Sequence, residues 1–140
     1  MRSEPNCIFC RIIAGKIPSA KIFENNEYIA FLDINPIVKG HSLVVAKNHV
    51  ETIDGVPPNE LTGMLQVVQK VVLALEAALG ANGTNVIQNN GKAAGQLVPH
   101  VHFHIVPRYL GDNLDLTARA KYSEGEMQEI AKKVADRIKP

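Results

Sequence analysis

Between two prolines the chain reads Pro99-His100-Val101-His102-Phe103-His104-Ile105-Val106-Pro107, an alternation of imidazole and apolar side chains. Successive side chains of a strand point to opposite faces. An extended segment here therefore sets His100, His102 and His104 on one face and Val101, Phe103 and Ile105 on the other. The chain must then build a sheet with one face against an apolar core and a second face that tolerates three imidazoles about 7 Å apart. Charged rings would repel at that spacing, and buried neutral rings would need partners, so the pattern is a poor way to fill a core. Three uses fit it: a metal site, a pH switch, or a catalytic centre with one histidine as nucleophile.

The rest of the chain supplies the sheet. Residues 7–14 read as a short helix or turn bearing Ile8, Phe9, Ile12 and Ile13, closed by Gly15 and Pro18. Residues 21–23 and 28–34 form a hairpin around Glu24-Asn25-Asn26-Glu27, and residues 42–46 a third strand. Its continuous Leu43-Val44-Val45 predicts cover on both faces, and the short link 36–40 favours antiparallel neighbours. Asn59 is placed to cap a long helix whose stripe is Leu61, Met64, Leu65, Val68, Val71, Val72, Leu75 and Leu79. Val67 and Leu73 widen that stripe enough for a subunit contact as well as a core, and Gly80 and Gly83 stop the helix. Residues 84–88 and 101–107 are the last strands. Ser123 and Glu126 make a capping box for a final helix to about residue 138, with Met127, Ile130, Val134 and Ile138 inward. The sum is an α+β fold: a five-stranded antiparallel sheet with one long helix packed on it and a C-terminal helix, a single domain over residues 1–140.

Composition narrows the partners. Lys and Arg number 15 against 14 Asp and Glu, a formal charge of +1, so no broad basic face is available for nucleic acid. A small substrate or a protein partner fits better. With 46% hydrophobic and 21% charged residues, disordered, collagen-like and disulfide-scaffold classes are excluded. The start Met1-Arg2-Ser3-Glu4-Pro5 lacks the apolar run of a signal peptide, and the longest apolar run, residues 71–75, is far short of the roughly 20 residues that span a bilayer. Cys7 and Cys10, the only two cysteines, suit a reducing compartment, so the expectation is a cytoplasmic protein with no membrane association.

Upstream of the histidines, the loop 89–99 carries Asn89, Gly91, Gly95 and Gln96. Glycines let backbone N–H groups approach an anion, and the two amides add donors, so the loop suits a phosphate. No Gly-Lys-Ser or Gly-Lys-Thr follows, so it is not a Walker loop. Phosphate donors beside a neutral imidazole suggest attack of that imidazole on phosphorus, giving an intermediate that water resolves.

The run His100 to Val106 resembles the signature of the histidine triad (HIT) family of nucleotide hydrolases and transferases. The resemblance extends over nearly the whole chain, through Cys7-Ile8-Phe9-Cys10, Ile17-Pro18, Phe31-Leu32-Asp33-Ile34-Asn35-Pro36, Gly40-His41-Ser42-Leu43-Val44-Val45, Asn89-Asn90-Gly91 and Gly95-Gln96. It is similar to the Hint branch, the bacterial Cys-x-x-Cys type above all. The resemblance implies that His102 is the nucleophile that becomes nucleotidylated, and that His104 contacts the phosphate and acts as general acid to the leaving group with its proton retained near neutral pH. It implies that the carbonyl of His100 fixes the tautomer of His102 and that His41 supports the triad. Asp33 would hold ribose hydroxyls and Phe31 and Ile34 line the base and sugar pocket, while Asn89, Gly95 and Gln96 hold the phosphate. Where animal Hint proteins commonly carry a serine after the Gly-Gln pair, this chain has Leu97, whose backbone N–H can donate but whose side chain cannot.

Cys7 and Cys10 read as two reduced thiols, a redox pair, or two of four zinc ligands; the resemblance nominates His49 and His100 to complete a structural zinc site. It further implies a homodimer acting on a purine nucleotide of AMP or GMP type, by hydrolysis of nucleoside 5′-phosphoramidates or related adenylylated compounds. Two other readings stand beside it. A dinucleoside polyphosphate hydrolase of the Fhit type shares the Pro107-Arg108 that follows the triad, and a nucleotide-binding dimeric module would need little turnover.

Overall fold

The computed structural model describes residues 1–138. Along the chain run α1 (Ile8–Ile13), β1 (Lys21–Glu24), β2 (Tyr28–Leu32), β3 (Ser42–Ala46), α2 (Pro58–Leu79), β4 (Gly83–Ile87), β5 (His102–Arg108) and α3 (Glu126–Ala135), with 3-10 turns at Ile53–Gly55 and Lys92–Ala94. The strands form one antiparallel sheet in the order β1-β2-β3-β5-β4. This is the expected α+β architecture.

Alternation along the strands divides the interior in two. Ala30, Leu32, Val44, Ala46, Val101, Phe103 and Ile105 face one way and meet Met64, Val67, Val68, Val71, Ala74 and Leu75 of α2, together with Ala131 and Val134 of α3. On the opposite face Ile29, Phe31, Leu43 and Val45 meet Cys7, Phe9 and Cys10 from the N-terminal segment. Both faces of β2 and β3 are therefore covered, as the continuous apolar run predicted. Helix α2 has the length and hydropathy of a membrane span, yet its most apolar side is the one lying on the sheet.

Several boundaries differ from the sequence reading. Helix α2 starts at Pro58 behind Pro57, so Asn59 lies inside the first turn; a proline there brings a suitable φ and no N–H in need of a cap. Leu65 and Leu73 point outward, and Gly80 alone ends the helix in a left-handed conformation, Gly83 opening β4 instead. Strand β2 stops at Leu32, leaving Ile34 in a loop. Strand β5 starts at His102, because the N–H of His100 turns to the carbonyl of Val98 and that of Val101 to the carbonyl of Val50. Helix α3 is shorter than expected: Ser123 and Glu126 do bond, Ser123 N–H to Glu126 Oε1 at 2.9 Å, but as a turn before the helix with Gly125 at its N-cap.

Gly40 positions the site. It adopts a φ of +96°, and a β-carbon there would lie 2.6 Å from Leu79 Cδ1, so only glycine lets the chain pass beneath the end of α2 immediately before His41.

Candidate active site and metal centre

Pairing of β3 with β5 sets Val45 opposite His102 and Leu43 opposite His104, both imidazoles on the face away from α2. His102 Nδ1 lies 2.6 Å from the carbonyl oxygen of His100. A carbonyl only accepts, so Nδ1 carries the proton and Nε2 keeps its lone pair. Beside β5, His41 Nδ1 accepts the Ile37 N–H at 3.1 Å, which leaves the proton on Nε2 to be donated to His104 Nδ1 at 3.0 Å. His104 then carries its own proton on Nε2. The ring centroids of His102 and His104 are 4.9 Å apart, so an imidazole with a bare Nε2 neighbours one with a proton on Nε2.

Burial keeps this row neutral. It lowers the proton affinity of His41 and His102, and with the further influence of His102 and His41 it pushes His104 down to about 3. In the ligand-free protein His104 is thus a neutral ring whose one proton lies on Nε2. Asp33 Oδ2 stands 3.8 Å from His41 Nε2, while Oδ1 accepts the Asn35 N–H at 2.9 Å, the turn contact its sequence position suggests.

The loop before the triad is built differently from the expectation. Gln96 is buried; its Oε1 accepts the Gly91 N–H at 2.6 Å, and its Nε2 donates to the carbonyls of Glu51 at 2.7 Å and Val98 at 3.0 Å. The N–H groups of Gly95 and Gln96 close onto Lys92 and Gly91. Gln96 and Gly95 brace the loop in this conformation rather than offer free donors, because a glycine-rich turn with positive φ at Gly91 and Gly95 has few other ways to satisfy its backbone. Asn89 is half-buried just beyond Ile87, the partner of His104 in the sheet. Leu97 and Ile34 are 86% and 75% exposed, and Phe31 is buried with its ring 5.6 Å from that of Phe9.

The four residues nominated as metal ligands converge. Cys7, Cys10, His49 and His100 are all buried, with their ligand atoms within 4.8 Å of one another. His100 Nε2 donates to the Ala46 carbonyl at 2.6 Å, so its Nδ1 is bare. Around that one nitrogen stand His49 Nδ1 at 3.2 Å, Cys7 Sγ at 3.3 Å and Cys10 Sγ at 3.6 Å, and Cys10 Sγ is 3.3 Å from His49 Nδ1. One lone pair cannot serve three donors. A tetrahedron with metal–nitrogen bonds near 2.05 Å and metal–sulfur bonds near 2.3 Å has edges of about 3.3 and 3.6 Å, so the set fits a metal ion at its centre. Burial raises the Cys7 thiol and lowers His100 to about 4, so a metal would find a neutral imidazole and would displace a thiol proton.

Phe9 is the residue the sequence reading passed over. Read there as one apolar position of a short helix, its ring lies 5.0 Å from that of His102 at an interplanar angle of 89° and 5.9 Å from that of His100. Its place between Cys7 and Cys10 was the available signal. Arg108, which with Pro107 carried the polyphosphate reading, is bonded to Asp112 and to Asn85 Oδ1 at 2.7 Å, a structural role at the end of β5.

The sheet face presents an oriented imidazole row beside a glycine loop, and comparison with known proteins assigns the class. Residues 14–111 match the HIT domain model, and the chain belongs to the histidine triad family. An uncharacterized HIT-like protein of Methanocaldococcus jannaschii is 45% identical over 91% of this chain and 98% of its own length. The adenosine 5′-monophosphoramidase of Candida albicans is 43% identical over 77% of this chain and 74% of its own. The crystal structure of a zinc-bound histidine triad family protein from Mycobacterium smegmatis superposes with a TM-score of 0.85 at 34% identity, covering 95% of this chain and 93% of that one.

Proposed function

We propose that this chain hydrolyses nucleoside 5′-phosphoramidates, or closely related adenylylated compounds, through a nucleotidyl intermediate on His102. The observation that carries this reading is the 2.6 Å bond from His102 Nδ1 to the His100 carbonyl, which leaves Nε2 with its lone pair on a ring 4.9 Å from that of His104. The kinship with an adenosine 5′-monophosphoramidase supports a purine nucleotide of AMP or GMP type.

In the first step the Nε2 lone pair of His102 bonds to the α-phosphorus and the phosphorus–nitrogen bond breaks. An anionic phosphate favours the charged form of adjacent imidazoles, so the hydrogen-bonded His41 and His104 pair takes up one proton from solvent as substrate binds; His104 passes its Nε2 proton to the departing amine, which leaves the pair neutral. Water then attacks phosphorus, His102 leaves, and His104 receives the water proton. In this reading Asp33 would take the ribose hydroxyls, Phe31 and Ile34 the base and sugar, and Asn89 and the Leu97 N–H the phosphate, on a loop whose shape Gly95 and Gln96 hold.

Zinc is the ion we assign to Cys7, Cys10, His49 and His100, on the strength of two sulfur and two nitrogen donors at tetrahedral spacing. A closed set of four protein ligands supplies structure rather than Lewis acid chemistry. The buried thiols suit a reducing, cytoplasmic setting. A homodimer is supported at the edge of the sheet. Val86 of edge strand β4 pairs with Ile105, so its side chain shares the α2 face, yet it is 47% exposed, and Leu73 of α2 is 59% exposed. The extent of the fold supports one domain over the chain.

The test is to quench a reaction with radiolabelled adenosine phosphoramidate and locate the label. An acid-labile adenylyl group on His102 is expected, with faster turnover of the phosphoramidate than of diadenosine tri- or tetraphosphate. Label elsewhere, or none during active turnover, overturns the mechanism.

A further inference from the structure

The metal centre and the reacting imidazole are joined by two short paths. The first runs through His100, whose ring faces the thiols at Nδ1 while its backbone carbonyl holds Nδ1 of His102 at 2.6 Å. The second runs through Phe9. Helix α1 spans Ile8–Ile13 and is tied at its start by Cys7, whose sulfur accepts the Cys10 N–H at 3.4 Å. Cys7 and Cys10 flank Phe9, so the two thiol ligands fix the part of the helix from which its ring projects. That ring is 6% exposed, stands perpendicular to His102 at 5.0 Å and is backed by Phe31 at 5.6 Å.

A hydrogen bond to a carbonyl restrains one ring atom. It leaves the imidazole free to swing about its bond to the β-carbon within the tolerance of that contact, and a second ring packed perpendicular to it at 5.0 Å limits the swing. The row needs such a restraint, because attack on phosphorus demands alignment of the Nε2 lone pair.

We propose that Phe9 is a positioning residue for His102, and that the Cys7, Cys10, His49 and His100 centre holds it in place, so that metal occupancy sets the orientation of the nucleophile as well as the stability of the fold. This deepens the reading of His102 as nucleophile and rests on it for its catalytic consequence; the orientation itself is observable without turnover.

The experiment uses the full chain with zinc bound, and records the imidazole nitrogen NMR signals of His102 in three states: wild type, wild type after chelation, and Phe9→Leu, which keeps apolar volume without the flat ring. Phe9→Ala is added where it folds. Wild type is expected to show a single Nδ1–H tautomer. Both chelation and Phe9→Leu should give an exchange-averaged signal while the backbone spectrum stays folded. With adenosine phosphoramidate, Phe9→Leu should lower kcat by about 10- to 100-fold and change KM by less than about 3-fold, the pattern of a misaligned nucleophile. Phe9→Tyr, which keeps the ring, should recover most of kcat. If either perturbation leaves the His102 signals unchanged in folded protein, the link is broken at that point and the proposal falls. Should wild type cleave no phosphoramidate, the hydrolase reading fails while the spectra still decide whether the centre orients His102.

Discussion

Two pairs of histidines in this protein have nearly the same nitrogen–nitrogen separation and opposite meanings. His41 Nε2 and His104 Nδ1 are 3.0 Å apart, and His49 Nδ1 and His100 Nδ1 are 3.2 Å apart. In the first pair a backbone N–H, that of Ile37, occupies the other nitrogen of His41, so donor and acceptor alternate and each proton has an assigned place. In the second pair the Ala46 carbonyl occupies the other nitrogen of His100 and forces a lone pair toward a site where two thiols and another imidazole also converge. The first arrangement is complete as a hydrogen-bonded row. The second has the spacing of a coordination shell. What distinguishes them is the backbone atom that holds the far side of each ring, a distant contact in sequence in the case of Ala46 and a near one in the case of Ile37.

The sharpest way to separate the two centres is to remove the nitrogen that belongs to the row alone. His102→Asn should abolish turnover, by on the order of 10⁴-fold or more, while AMP still binds and metal content matches that of wild type. Rates and elemental analysis on the same sample check both halves. Full activity would sink the assignment of His102.

Breaking the other centre should move different observables. Cys7→Ser or Cys10→Ser is expected to lose bound metal and to lower Tm by about 10 °C or more, a cost of at least ~3 kcal/mol, because metal binding free energy contributes to folding free energy. Metal content and thermal denaturation with and without chelator measure this. Unchanged metal content in both variants would remove the ligand assignment.

His41→Phe probes the bond between the pairs of nitrogens directly. It removes the donor to His104 Nδ1 and leaves the Ile37 N–H without its acceptor, so a loss of about 1–3 kcal/mol in urea unfolding is expected, with a drop in kcat of roughly 10-fold as His104 loses its fixed tautomer. Metal content should not change.

The smallest effect concerns acid. His104 sits at about 3 in the folded protein against an ordinary value near 6.5, and His41 is lowered as well. Between those values the unfolded chain binds more protons than the folded one, so the histidine contribution to stability is present above about pH 6.5 and is lost as pH falls toward 3. Urea midpoints for wild type and His104→Asn from pH 7.5 to 4 should show a shallower decline in the variant. Equal slopes would mean that the row does not resist protonation.

The alternation of residues 99–107 made the sheet legible, and with it the division of His102 and His104 from Phe103 and Ile105, because strand periodicity is a local property. The continuous run Leu43-Val44-Val45 likewise announced a strand covered on both faces. Gln96 was not legible. An amide after a glycine turn is equally suited to a ligand or to the loop's own backbone, and only contacts with Glu51 and Val98 decide between them. Phe9 was missed for a related reason: an apolar residue on a short helix carries no mark of which ring it will meet.

By itself the sequence determined the residue types that could do chemistry, the faces they would occupy along a strand, and a spacing of cysteines fit for a metal. Tertiary structure decided which nitrogen of each imidazole holds a proton. That choice rests on backbone carbonyls and N–H groups: the Ala46 carbonyl for His100, the Ile37 N–H for His41 and the His100 carbonyl for His102. A tautomer is a property of the partner as much as of the ring, and partners are brought together only when the sheet is assembled.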